Sequence, residues 1–133
     1  MINKNEFKDA NKKLYISDEE LAVDNIYSKV QAFLTGHVYY INAYKDTQNS
    51  DAYRAEMYSK FLMHRAQVRH VIEQSGLTEA ERNVMWAYYM GDDYANCKVC
   101  AKRTGYNEKE VAKLHASAFV KVTKKLQRSG KLK

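Results

Sequence analysis

A chain of 133 residues is one ordinary domain, or a small domain with a helical extension, and it can bury a core without metal or disulfide staples. No proline, five glycines and long runs without turn clusters predict an all-α fold, while two cysteines exclude a disulfide framework. The net charge of +6 is one-sided: residues 1 to 76 carry 10 Lys+Arg and 10 Asp+Glu, residues 77 to 133 carry 12 and 6, and that C-terminal excess suggests a polyanionic partner.

Residues 1 to 16 are polar and expected to fray, although Phe7, Leu14, Tyr15 and Ile16 could dock on the core. Their sequence lacks the apolar stretch of a signal peptide, and no later segment approaches the ~18 consecutive apolar residues of a membrane span. The expectation is a soluble, cytoplasmic protein with no membrane contact. Ser17-Asp18-Glu19-Glu20 reads as a capping box, with carboxylates at the positive end of a helix dipole. Val23, Ile26, Tyr27, Val30, Phe33, Leu34, His37, Ile41 and Tyr44 follow at three-four spacing, so the helix runs to about Tyr44 with Gly36 as a weak point. Lys45 to Ser50 is a connection. A second helix from about Asp51 to Gln74 turns Tyr53 or Met57, Phe61, His64, Val68 and Val71 or Ile72 to one face, packs antiparallel on the first, and is stopped by Ser75-Gly76.

Thr78-Glu79-Ala80-Glu81 is a further capping box, opening a third helix through Val84, Met85, Ala87, Tyr88 and Met90 to Gly91. Asp92 or Asp93 can cap a fourth, from about Tyr94 to Arg103. Within CKVCAKRTGYNEKEVAKLHA, Ala101 stands at the fifth place, Gly105 at the ninth and Val111 at the fifteenth. That is the spacing of a helix-turn-helix: a small residue where two helices meet, a glycine able to take positive φ, and an apolar residue packing the second helix on the first. Asn107 caps this second helix and Glu110 can return the bond. The helix starts at about Glu108, turns Val111, Leu114, Ala118, Val122 and Leu126 inward, and ends at Ser129-Gly130. Two parts result, a helical hairpin over 1 to 76 and a helix-turn-helix module over 77 to 133.

With Leu77, Thr78, Glu81 and Arg82 as a Leu-Thr-x-x-Glu-Arg opening, residues 77 to 126 resemble the promoter-binding C-terminal region of sigma factors. TGYNEKEVAKLHASAFVKVTKKL is similar to the Gly-Tyr-Ser turn and Lys-rich helix of phage late-transcription regulators of the ArpU and RinA type, with Asn107 where Ser or Thr is usual. The resemblance implies a transcription regulator of phage or mobile-element origin that binds double-stranded DNA and contacts RNA polymerase in a bacterial host.

The second helix of such a motif sets its N-terminal residues against base edges. Helical spacing turns Asn107, Glu108, Lys109, Ala112, Lys113 and Ala116 outward. Lys109 and Lys113 are assigned guanine or phosphate contacts, and Asn107 or Glu108 base discrimination. Lys98, Lys102 and Arg103 would flank the groove on phosphates, with Lys121, Lys124, Lys125 and Arg128 adding charge. Glu108 and Glu110 oppose this reading, since carboxylates near a phosphate backbone are repelled unless one accepts from a cytosine amino group. They support an alternative, a helical interaction protein that keeps the motif's shape without specific DNA binding.

Cys97 and Cys100 invite a zinc or redox reading, but C-x-x-C is half of a zinc site with no second pair, and two cysteines on the inner face of a packed helix account better for them. Of the 11 tyrosines, adjacent Tyr39-Tyr40 and Tyr88-Tyr89 cannot all face one core. His64 and Arg65 are expected to face another helix or a partner, and Trp86 to anchor the third helix or an interface. No nucleophile elbow, phosphate loop or paired-carboxylate site is recognisable, so neither catalysis nor a cofactor is expected. The neutral front part would serve as a homodimer surface or a docking site.

Overall fold

The proline-free sequence folds as five helices: α1 (Asp18–Lys45), α2 (Asp51–Glu73), α3 (Glu79–Tyr89), α4 (Cys97–Thr104) and α5 (Glu108–Arg128). The structure, a computed structural model, describes residues 18–131, with side chains from 25 onward. The docking of Phe7, Leu14, Tyr15 and Ile16, the fraying of residues 1 to 16, the Ser17 box and the inward Val23 side chain lie outside the described residues. Among those residues no helix is long and apolar enough to cross a membrane.

Capping hydrogen bonds place the helix starts, two of them at the predicted boxes. Ser50 accepts from the Tyr53 N–H, Thr78 and Glu81 form the expected capping box, and Asn107 and Glu110 form the other. The α4 boundary differs from the expectation: Asn96, not Asp92 or Asp93, caps it through the Val99 N–H at 2.9 Å. The two aspartates are instead paired, Asp92 with Lys45 at 3.7 Å and Asp93 with Arg103 at 3.6 Å.

α1 and α2 form the antiparallel hairpin, and α5 runs across both parts of the molecule. One core joins Val30 and Leu34 of α1, Val68 and Ile72 of α2, Met85 of α3 and Val122 of α5. A smaller one holds Val84, Cys100 and Val111 where α3, α4 and α5 meet. The inward faces follow the predicted spacing with four exceptions. Val38, Tyr89 and Phe119 join the buried set, and Tyr27, expected inward, is 50% exposed and lies on Phe119 with ring centroids 4.8 Å apart. A three-four reading misses Val38, Tyr89 and Phe119 because a helix in contact with two neighbours buries more than one narrow stripe.

Gly36 is a contact point and not the weak point its composition suggests. His64 of α2 crosses α1 there and donates to the Phe33 carbonyl at 2.6 Å, and a Cβ on Gly36 would lie 2.8 Å from its Nε2. The C-terminal end of α3 is bound from three sides. Arg65 donates to the Met90 carbonyl at 3.0 Å, His37 to Gly91 at 3.2 Å and Arg103 to Ala87 at 2.8 Å. These bonds satisfy carbonyls that the end of a helix leaves without partners, and they tie the hairpin to the helix-turn-helix. Trp86 packs half-buried against the larger core, beneath the Arg69 guanidinium at 5.1 Å.

Candidate nucleic-acid interface

The turn of the helix-turn-helix is held by local chemistry at each residue. Gly105 takes φ +82°, and its N–H bonds the Ala101 carbonyl at 2.9 Å to end α4. The Thr104 hydroxyl donates to Cys100 and accepts from the Tyr106 N–H. The Tyr106 hydroxyl accepts from Asn83 at 3.4 Å, which ties the turn to α3. Below it Cys100 and Val111 are fully buried against Val84, as the motif spacing predicts. Cys97 Sγ donates to the Glu108 carbonyl at 3.1 Å, linking the first residue of α4 to the first of α5.

All six residues predicted to face outward on α5 are exposed: Asn107, Glu108, Lys109, Ala112, Lys113 and Ala116. At ~100° per residue, Lys109 and Lys113 stand within about 40° of each other, opposite Val111, Ala118 and Val122. Lys98 and Lys102 form a second four-residue pair on the exposed face of α4. None of these four lysines has an ion-pair partner among the described residues.

The other predicted cations are placed differently. Arg103 is folded back onto Ala87 and Asp93, where it closes the end of α3. Lys121 is held by Glu81 at 2.8 Å. Both are occupied by contacts within the chain, because the helical spacing that turned them outward did not include α3 as a neighbour. Lys124 shares the outward face of Lys109 and Lys113, but about 22 Å along the helix from Lys109 and about 16 Å from Lys113. Lys125 is half-buried beside it and Arg128 exposed in the last turn.

Electrostatics within the module are set by burial and by local hydrogen bonds. Burial alone would push the Glu81 carboxyl up. Bonds from Lys121, Ser117 and the Thr78 N–H, with the Lys121 charge, outweigh it and bring the carboxyl down to about 2. The Tyr88 hydroxyl, desolvated and close to Cys97 and Cys100, is pushed up to about 12. His115, its ring 4.3 Å from that of Tyr88 and its Nε2 2.6 Å from the Tyr89 hydroxyl, is lowered by burial.

The two carboxylates that count against DNA are not equivalent. Glu110 is taken up by the cap, its Oε1 accepting from the Asn107 N–H at 3.1 Å, while Asn107 Oδ1 accepts from the Glu110 N–H at 2.8 Å. This leaves Glu108 as the single uncommitted acid on the first turn and the Asn107 NH₂ as a donor.

The predicted cations do not include Arg82. It lines, with Asn83, Trp86, Ala87, Arg103 and Thr104, an open cleft between α3 and α4. The signal for it is the four-residue spacing of Arg82 and Trp86, which puts both on the face of α3 opposite Val84. Among the described residues no group of three or more His, Cys, Asp or Glu converges as a metal site would. Comparison with family models, with curated proteins and with solved structures finds no match to this chain.

Proposed function

We propose that the chain is a sequence-specific DNA-binding regulator of transcription, inserting the start of α5 into the major groove. One observation carries this reading. Lys98 and Lys102 on α4, with Lys109 and Lys113 on α5, give two exposed lysine pairs on helices held by a left-handed glycine turn. Lysines on the first helix reach phosphates and set register, while those on the second reach base edges or phosphates. Asn107 and Glu108 supply a donor and an acceptor for base discrimination at the tip. Lys124, Lys125 and Arg128 extend positive charge along α5 and would meet flanking phosphates.

The sigma-like opening at Leu77 and Thr78 and the Lys-rich last helix support a phage or mobile-element origin and contact with a bacterial RNA polymerase. The hairpin supports a second reading, a helical protein-interaction module, because Tyr39, Leu62 and Met63 are 61%, 47% and 63% exposed on it.

Selection of the purified protein on a random duplex DNA pool tests both. A shared motif whose affinity falls steeply with salt is the expected result. Weak binding without enrichment overturns specific DNA reading and favours the protein-partner reading.

A further inference from the structure

Cys97 and Cys100 make none of the proposed DNA contacts, yet both stand at the joint on which those contacts depend. Cys97 is the first residue of α4, is partly exposed, and its S–H bonds the Glu108 carbonyl at 3.1 Å. Cys100 lies one turn on, fully buried between α3 and α5 in the core of the helix-turn-helix. Side chains three residues apart on a helix have Cβ atoms about 5–6 Å apart, whereas a disulfide needs about 3.8 Å. Closing the bond therefore draws the two Cβ atoms together by about 1–2 Å and distorts the first turn of α4. That turn is the end of an eight-residue helix, held by the Asn96 cap at 2.9 Å.

We propose that Cys97 and Cys100 are a dithiol modification site, converted by a hydroperoxide to a disulfide that loosens the joint between α4 and α5. Cys97, the accessible sulfur, gives up its S–H proton to solvent and attacks a peroxide oxygen. The O–O bond breaks, the leaving hydroxide takes up a proton and departs as water, and Cys97 becomes a sulfenic acid. The Cys100 sulfur then attacks Cys97, the S–O bond breaks, and a second water leaves with the Cys100 proton. Two thiols and one hydrogen peroxide give one disulfide and two waters; the sulfurs are oxidised and the peroxide oxygens reduced. Burial pushes the Cys100 thiol up to about 11, so it stays protonated until the turn distorts.

The bond removes the S–H donor from the Glu108 carbonyl and draws Cys100 away from Val84 and Val111. A loop this short restricts the unfolded chain little, so the crosslink returns little stability for the contacts it breaks.

The full chain treated with hydrogen peroxide tests the site by peptide mapping, amide exchange and thermal melting. The expected result is a Cys97–Cys100 link reversed by dithiothreitol, faster exchange through α4 and the first turn of α5, and a lower melting temperature. Cys97→Ser, whose hydroxyl still reaches the Glu108 carbonyl, should melt like the reduced protein and show none of these changes on treatment. Cys100→Ala gives the same control from the other sulfur. Oxidation that stops at a sulfinic acid on Cys97, with Cys100 still a thiol, overturns the site. A disulfide with unchanged exchange overturns the loosening.

The consequence for DNA rests on the proposed function: affinity for the selected duplex should fall about fivefold on oxidation and return on reduction. If the reduced protein binds no DNA, that reading fails by itself. The mapping and exchange results still decide the disulfide.

Discussion

Glu81→Gln leaves the α3 cap its oxygen and removes the charge that holds Lys121. The pair lies 2.8 Å apart, with the Glu81 side chain 5% exposed and the Lys121 side chain 38% exposed. At an effective dielectric of ~20 the gross attraction at this distance is about 6 kcal/mol. Burying the carboxylate and the solvent at Lys121 offset most of it, leaving a coupling of about 1–2 kcal/mol.

Glu81→Gln also weakens the bonds to Ser117 and the Thr78 N–H, so alone it should cost about 2–3 kcal/mol. For a domain of this size each kcal/mol moves the melting temperature by about 3–5 °C. Melting curves of the parent, Glu81→Gln, Lys121→Met and the double variant form the cycle that isolates the pair. The carboxyl is held at about 2 in the folded chain against an ordinary 4.5. Its contribution is therefore complete above about pH 4.5 and lost as pH falls through the folded value. A coupling below ~0.3 kcal/mol at neutral pH refutes the argument. So does one that persists undiminished at pH 2.

Gly36→Ala should gain up to ~1 kcal/mol of helix propensity yet destabilise overall by about 1–2 kcal/mol, because the new Cβ displaces His64 from the Phe33 carbonyl; chemical denaturation measures the sign, and a more stable variant refutes the close approach. Burial lowers His37 and His115 from 6.5, so the unfolded chain takes up protons that the folded chain refuses. Stability should be full above about pH 6.5 and decline as pH falls below it, and a denaturation midpoint unchanged from pH 7 to 5 would falsify this. On the selected duplex, Lys109→Ala should cost about 1–3 kcal/mol of specific binding, whereas Lys102→Ala weakens every sequence alike and lowers the salt slope by about one. Unchanged binding in the Lys109/Lys113 double alanine variant, measured by titration, removes the groove assignment.

Local signals placed the parts of the fold that local chemistry decides. Thr78 with Glu81, and Asn107 with Glu110, are three-residue relations, so both boxes are legible before any tertiary contact forms. Gly105 was legible for the same reason, since a left-handed turn asks for a residue without Cβ whatever surrounds it. Outward Lys109 and Lys113 followed from the period of the helix and the position of Val111. Other features depend on residues distant in sequence. Gly36 reads as a helix flaw until His64 crosses it, 28 residues later. Asp92 and Asp93 read as caps until Lys45 and Arg103 claim them. Arg103 and Lys121 read as cations for DNA, but the end of α3 and the buried Glu81 occupy them. The helices, the boxes at Thr78 and Asn107 and the Gly105 turn are legible from local residues, because those energies lie within three or four residues. Which cations stay exposed and which residue caps α4 follow from the packing, because a side chain's partner is set by which helices meet and not by its own spacing.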